Sequence, residues 1–119
     1  MNEQMFKQRT KTFAISVIKL VEKLPKTKIA GAIGGQLLRA GTSVGAHYRA
    51  ACRARSVADI ISKVGIVEEE SDESAYWMEL LEDSAIVVKD TLRNMIAEAN
   101  EITAMTVASI KTLKHHNQK

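Results

Sequence analysis

Three groups of side chains in this 119-residue sequence are of types that carry out chemistry in proteins. The first is a carboxylate run, Glu68, Glu69, Glu70, Asp72, Glu73, Glu79, Glu82 and Asp83, which invites comparison with helical bundles that bind metals. Those sites take a Glu from each of two helices and a Glu-x-x-His from each of the others. Here no Glu-x-x-His occurs and the acids crowd onto one segment, so they read as a solvated or interprotomer face. No metal and no other cofactor is expected.

The second group is Cys52 with His47, His115 and His116. A single cysteine excludes an intrachain disulfide and fits a reducing, cytoplasmic setting. Without a positioned base, Cys52 reads as a small core residue rather than a nucleophile. His47 falls at the edge of an apolar face near Gln36 and Ser43, the pattern of a buried polar cluster between helices. His115 and His116 are adjacent and so diverge, in a polar tail expected to fray. Nothing brings a nucleophile, a base and an oxyanion donor together, and the sequence reads as non-catalytic.

The third group is cationic. Arg39, Arg49, Arg53 and Arg55, with Lys26, Lys28 and Lys63, form a candidate phosphate-contacting surface, since affinity for nucleic acid comes chiefly from neutralising phosphates. The competing reading is that they pair with the acids of the following segment, where exposed pairs contribute only about 0 to 1 kcal/mol each. Residues 1–63 carry 12 Lys or Arg against three acids, and residues 64–90 carry one Lys against nine acids. Charge segregated in this way serves association between protomers as readily as nucleic-acid binding. No aromatic RNA-binding signature or helix-turn-helix pattern is present, so any nucleic-acid contact would be made to the backbone.

The elements that must position these groups are helices. Phe6, Thr10, Phe13, Val17, Leu20 and Leu24 recur at spacings of four and three, predicting a helix over about 2–24 that Pro25 ends. A second helix, from Thr27 or Lys28 to about Ala54, buries Ile33, Leu37, Val44, Tyr48 and Ala51 on one face. Five of the chain's six glycines lie in this stretch. Each interior glycine costs about 1 kcal/mol relative to alanine, so close packing must compensate. The period puts Gly34, Gly41 and Gly45 on a flank where a neighbouring helix can approach, with Arg39, Arg49 and Arg53 on the far side. Gly31 and Gly35 point elsewhere.

Ser56 is a plausible N-cap for a third helix running to about Val88, with Asp59 favouring its first turn. Its seam is Ile60, Val64, Val67, Ser71, Ser74, Met78, Leu81, Ala85 and Val88, the buried serines bonding back to the preceding turn. Of Tyr76 and Trp77, one enters the core and the other is left as an interface anchor, because neighbours on a helix diverge by 100°. A fourth helix from Asp90 or Thr91 to Leu113 repeats the pattern with Leu92, Met95, Ala99, Ile102, Thr106, Ser109 and Leu113. Four such segments with connections of two to four residues predict an all-α, up-down-up-down antiparallel four-helix bundle, residues 1–119 forming a single domain. No segment reaches the roughly 20 apolar residues of a membrane span, and no membrane partner is expected.

At the second and third helices the residues become familiar. LPKTKIAGAIGGQLLRAGTSVGAHYRAACRARS followed by ADIISKVGIVEEESDESAYWMELL resembles the four-helix bundle proteins named for the intervening sequence of 23S ribosomal RNA. The resemblance implies a small bacterial protein without enzymatic activity. It further implies homo-oligomers, pentameric barrels with basic surfaces, like the related accessory proteins of diversity-generating retroelements, which bind nucleic acid and a reverse transcriptase. The expected partners are therefore further copies of the chain, with rRNA or other nucleic acid, or a protein, as the candidates beyond them. The family's GANYREA reads GAHYRAA here, with His47 for Asn and Ala50 for Glu, and Glu68 stands where an apolar residue is usual. If the missing glutamate pairs with an arginine in relatives, Arg49 or Arg53 is freer here.

Overall fold

Four helices account for most of the chain in the computed structural model, which describes residues 2–117: α1 (Glu3–Glu22), α2 (Lys28–Cys52), α3 (Val57–Asp83) and α4 (Arg93–Asn117). No strand occurs among the described residues. Three of the helices begin where a short polar side chain satisfies an orphan N–H. Asn2, Thr27 and Ser56 accept from the N–H groups of Met5, Ala30 and Asp59, each at 3.1 Å. Each cap contributes about 1 kcal/mol.

The helices form a bundle of 52 × 21 × 21 Å. α2 packs against α1 and α3, and α3 against α4, whereas α1 and α4 meet much more sparsely. The apolar stripes converge on Phe6, Phe13, Val17, Leu37, Val44, Val67, Met78, Leu81 and Ile102. Along α1 and α2 the contacts run in opposite order, Gly34 lying over Leu24, Gly41 over Val17 and Gly45 over Thr10. Along α3 and α4 they do the same, with Glu82 bonded to Leu92 and Ser71 to Thr103. Ser71 and Ser74 donate to the carbonyls of Glu68 and Glu70, and Ser71 also shares a hydrogen bond of 2.7 Å with Thr103, fastening α3 to α4.

The third helix is shorter than its apolar period suggests. It stops at Asp83 instead of Val88, and the connection to α4 is nine residues long, 84–92. Ala85 takes a left-handed φ of 62° and Asp90 one of 71°, so the chain turns out of the helix while its spacing stays in phase. Ile86 and Val87 pack against the core in place of Ala85 and Val88, and Val88 is 79% exposed. The far side of this connection is anchored by Glu82, whose carboxylate accepts the Leu92 N–H at 2.7 Å. α4 continues past Leu113 to Asn117; Gln118 and Lys119, the end of the tail expected to fray, lie outside the described residues.

Candidate nucleic-acid interface

The glycine flank of α2 faces α1. A Cβ on Gly41 would lie 2.8 and 2.9 Å from the two γ-methyls of Val17, and one on Gly45 would lie 3.2 Å from the Thr10 hydroxyl. Gly31 and Gly35 meet nothing within 4 Å. Close approach of two backbones is thus confined to three glycines, and it fixes where α1 side chains stand relative to α2.

Arg39, Arg49, Arg53, Arg55 and Lys63, taken from the candidate cations, do not form one surface. Arg39 reaches across to α3, where its guanidinium bonds Glu70 at 3.2 Å and also Glu73. Both acids, Glu70 foremost, raise the Arg39 pKa above its ordinary value. Glu73 also accepts from the Trp77 indole N–H at 2.9 Å, so Arg39 belongs to a polar network on the α2–α3 side. Lys63 is held by Asp59 one turn earlier, at 2.8 Å. Arg49, Arg53 and Arg55 are exposed and have no ion-pair partner among the described residues.

Arg49 adjoins the glycine flank rather than opposing it. It lines a groove of about 500 Å³ between α1 and α2 together with Gly45, Ala46, Lys7 and Lys11. The expectation of a basic face on the far side of α2 is corrected accordingly: Arg39 faces α3 and Arg49 faces the α1 groove. The wheel of α2 alone gives no sign of the α1 lysines, which enter only through the inter-helix register.

His47 is half-buried, and its Nδ1 lies 2.9 Å from the Ser43 carbonyl of its own helix. An Nδ1–H donating there fixes that ring nitrogen as the donor. Gln36 is exposed, so the anticipated buried cluster of His47, Ser43 and Gln36 does not form. Tyr48 is buried edge-on to Phe6, with ring centroids 4.6 Å apart. Trp77 is the aromatic that packs on the core, and Tyr76 is 56% exposed with its ring 5.1 Å from Trp77.

A second cleft of about 690 Å³ opens at the end of the bundle where α1 begins and α4 finishes. Tyr48, Cys52, Ile60, Val64, Met105 and Leu113 line it. Burial first, and the neighbouring Glu3 second, push the Cys52 thiol up from its ordinary value, which keeps it protonated and poorly nucleophilic. Burial likewise pushes the Tyr48 phenol up. Among the described residues no group of three or more His, Cys, Asp or Glu is arranged to hold a metal ion, and no helix is long and apolar enough to cross a membrane.

The sequence model of the 23S rRNA-intervening sequence protein family matches residues 2–108. This chain belongs to that family. The 23S rRNA-intervening sequence protein fold is also seen in the crystal structure of a protein with unknown function from the S23 ribosomal protein family of Bacteroides thetaiotaomicron VPI-5482. That protein is 31% identical, with a TM-score of 0.85 over 93% of this chain and 99% of the other. No curated protein matches the chain.

Proposed function

We propose that this 23S rRNA-intervening sequence protein is a non-catalytic, nucleic-acid-associated protein that acts as a homo-oligomer. The working architecture is a single up-down-up-down antiparallel bundle over residues 1–119, assembled into a ring, with five copies as the expected number, in the bacterial cytoplasm. The observation that carries the reading is the state of the arginines. Intramolecular pairing would have neutralised them, yet it takes only Arg39, leaving Arg49, Arg53 and Arg55 exposed and unpaired among the described residues. Cations left free on one region of a bundle neutralise phosphates and release counterions, which gives backbone-led binding of low sequence specificity.

The test is binding of a labelled single-stranded RNA at increasing salt. The reading expects affinity to fall steeply with salt and to drop when Arg49, Arg53 and Arg55 are replaced together by alanine. Absent or salt-independent binding defeats it.

A protein-protein adaptor is the second reading, and one observation favours it. Tyr76 stands 56% exposed on α3 among the exposed acids Glu69, Asp72, Glu79 and Asp83, an aromatic anchor with an acidic rim. Recovery of a defined protein partner after nuclease treatment, lost in Tyr76→Ala, would support it over the first.

A further inference from the structure

We infer that the α1–α2 groove is a phosphate-backbone seat, built by Lys7 and Lys11 of α1 opposite Arg49 of α2. The inference rests on the nucleic-acid reading above and adds where the strand lies and which residues outside α2 hold it.

The groove is shaped by the glycines beneath it. Gly45 brings the α2 backbone against Thr10, and Ala14, Gly45 and Ala46 are the small residues among those that line the groove. Long side chains therefore stand above a shallow base. Lys7 and Lys11 lie about one helical turn apart on one wall, about 6 Å along the axis, and Arg49 rises from the other. Because Gly45 sits on Thr10, the residue one turn further along α2 is Arg49 and the residue about one turn back along α1 is Lys7, so the two cations advance in step towards the same end of the bundle.

The remaining groups suit a phosphodiester strand. Gln4, Gln8 and Thr42 complete the polar lining, and no carboxylate is among the lining residues. Glu3 meets Lys7 at 3.7 Å along the same helix, a long contact that leaves Lys7 available. Lys11 and Arg49 have no ion-pair partner among the described residues. Amide and hydroxyl side chains beside Lys and Arg are the usual donors to phosphate and sugar oxygens. A volume of about 500 Å³ accommodates a nucleotide-sized portion of such a strand. Arg39, Lys63 and the α3 surface take no part.

The experiment measures fluorescence anisotropy of a labelled mixed-sequence single-stranded RNA oligonucleotide with the full chain across a salt series. The variants are Lys7→Ala with Lys11→Ala, Ala46→Glu and Arg39→Ala, and light scattering is recorded for each. Each phosphate contact on a single strand contributes about 0.7 to the slope of log affinity against log salt. The double lysine variant should therefore lower the slope by about 1.4, with a loss of affinity that is largest at low salt. Ala46→Glu, which sets a carboxylate among the three cations at an exposed position, should weaken binding as well, whereas Arg39→Ala should leave the slope unchanged. If the unmodified protein binds no RNA at low salt, the nucleic-acid reading itself fails. If it binds and both groove variants keep its affinity and slope, the groove assignment alone is overturned. If those variants keep RNA binding but lose the oligomeric mass, the groove receives an acidic protein surface, and the assignment is likewise overturned.

Discussion

Replacing Gly41 with alanine should destabilise this protein, while the same replacement at Gly35 should stabilise it. Both positions are interior to α2, so each alanine gains about 1 kcal/mol of helix propensity. At Gly35 the added methyl meets nothing within 4 Å and the gain stands. At Gly41 it would lie 2.8 Å, 2.9 Å and 3.1 Å from Cγ2, Cγ1 and Cβ of Val17, a fully buried side chain. A β-branched residue in a helix has essentially one rotamer, so Val17 cannot swing aside and the helices must part. Overpacking of this kind costs about 1 to 3 kcal/mol, and contact with three atoms of one stiff side chain belongs to the upper part of that range. The net loss at Gly41 is then about 1 to 2 kcal/mol, and the two variants should differ by about 2 to 3 kcal/mol. For a chain of this size that is roughly 8 to 12 °C in melting temperature. Thermal and urea unfolding followed by circular dichroism at one fixed protein concentration would measure it. Adding Val17→Ala to Gly41→Ala should remove the clash and give a favourable coupling of about 1 kcal/mol or more. A Gly41→Ala protein as stable as Gly35→Ala would refute the close-approach account of the glycine flank.

Four further outcomes follow from the same structure. Gly34→Ala should be nearly neutral by denaturant unfolding, because its closest contact, 2.9 Å, is the mobile Cδ1 end of Leu24. Ala85→Gly should raise stability by about 0.5 to 1 kcal/mol, since φ of 62° strains an alanine by about 1 to 2 kcal/mol and the extra freedom of the unfolded glycine offsets only part of that; an unchanged or lower melting temperature would count against the left-handed turn. Arg9 joins α1 to α4 through Glu98 at 2.7 Å and Glu101 at 2.9 Å where those helices otherwise meet sparsely, so Arg9→Ala should cost about 1 kcal/mol after allowance for solvent screening of a half-exposed pair and should accelerate amide exchange along the α1–α4 seam. Stability should be full below about pH 8.5, the unfolded thiol value, and fall above it, because burial raises the folded values of both Cys52 and Tyr48 and the unfolded chain gives up those protons first; Cys52→Ala should remove the earlier part of that decline and Tyr48→Phe the later part.

Much of the bundle was legible because it is written in local signals. Thr27 and Ser56 mark the starts of α2 and α3 by chemistry that acts within three residues, and the four-and-three spacing of Phe6, Thr10, Phe13 and Val17 states which face of α1 is buried. The end of α3 was not legible, since Ala85 and Val88 keep the helical phase after the backbone has left the helix. What stops α3 is a left-handed alanine and a carboxylate that bonds the Leu92 N–H ten residues on, and neither has a distinctive local pattern. The cationic site was half legible for a related reason. A wheel of α2 shows that Arg49 and Arg53 share a side, but the pairing of Arg39 with Glu70 and the arrival of Lys7 and Lys11 depend on how neighbouring helices are set against it. That register is fixed by contacts such as Gly41 on Val17, which a wheel cannot contain.

Whether the protein is an oligomer that carries nucleic acid on its free cations is decided by light-scattering mass of the nuclease-treated protein, with and without added RNA. The expected result is a multiple of the 13.1 kDa chain that gains the mass of RNA at low salt and sheds it at high salt. A 13.1 kDa species whose mass is unaltered by RNA at any salt concentration would contradict it.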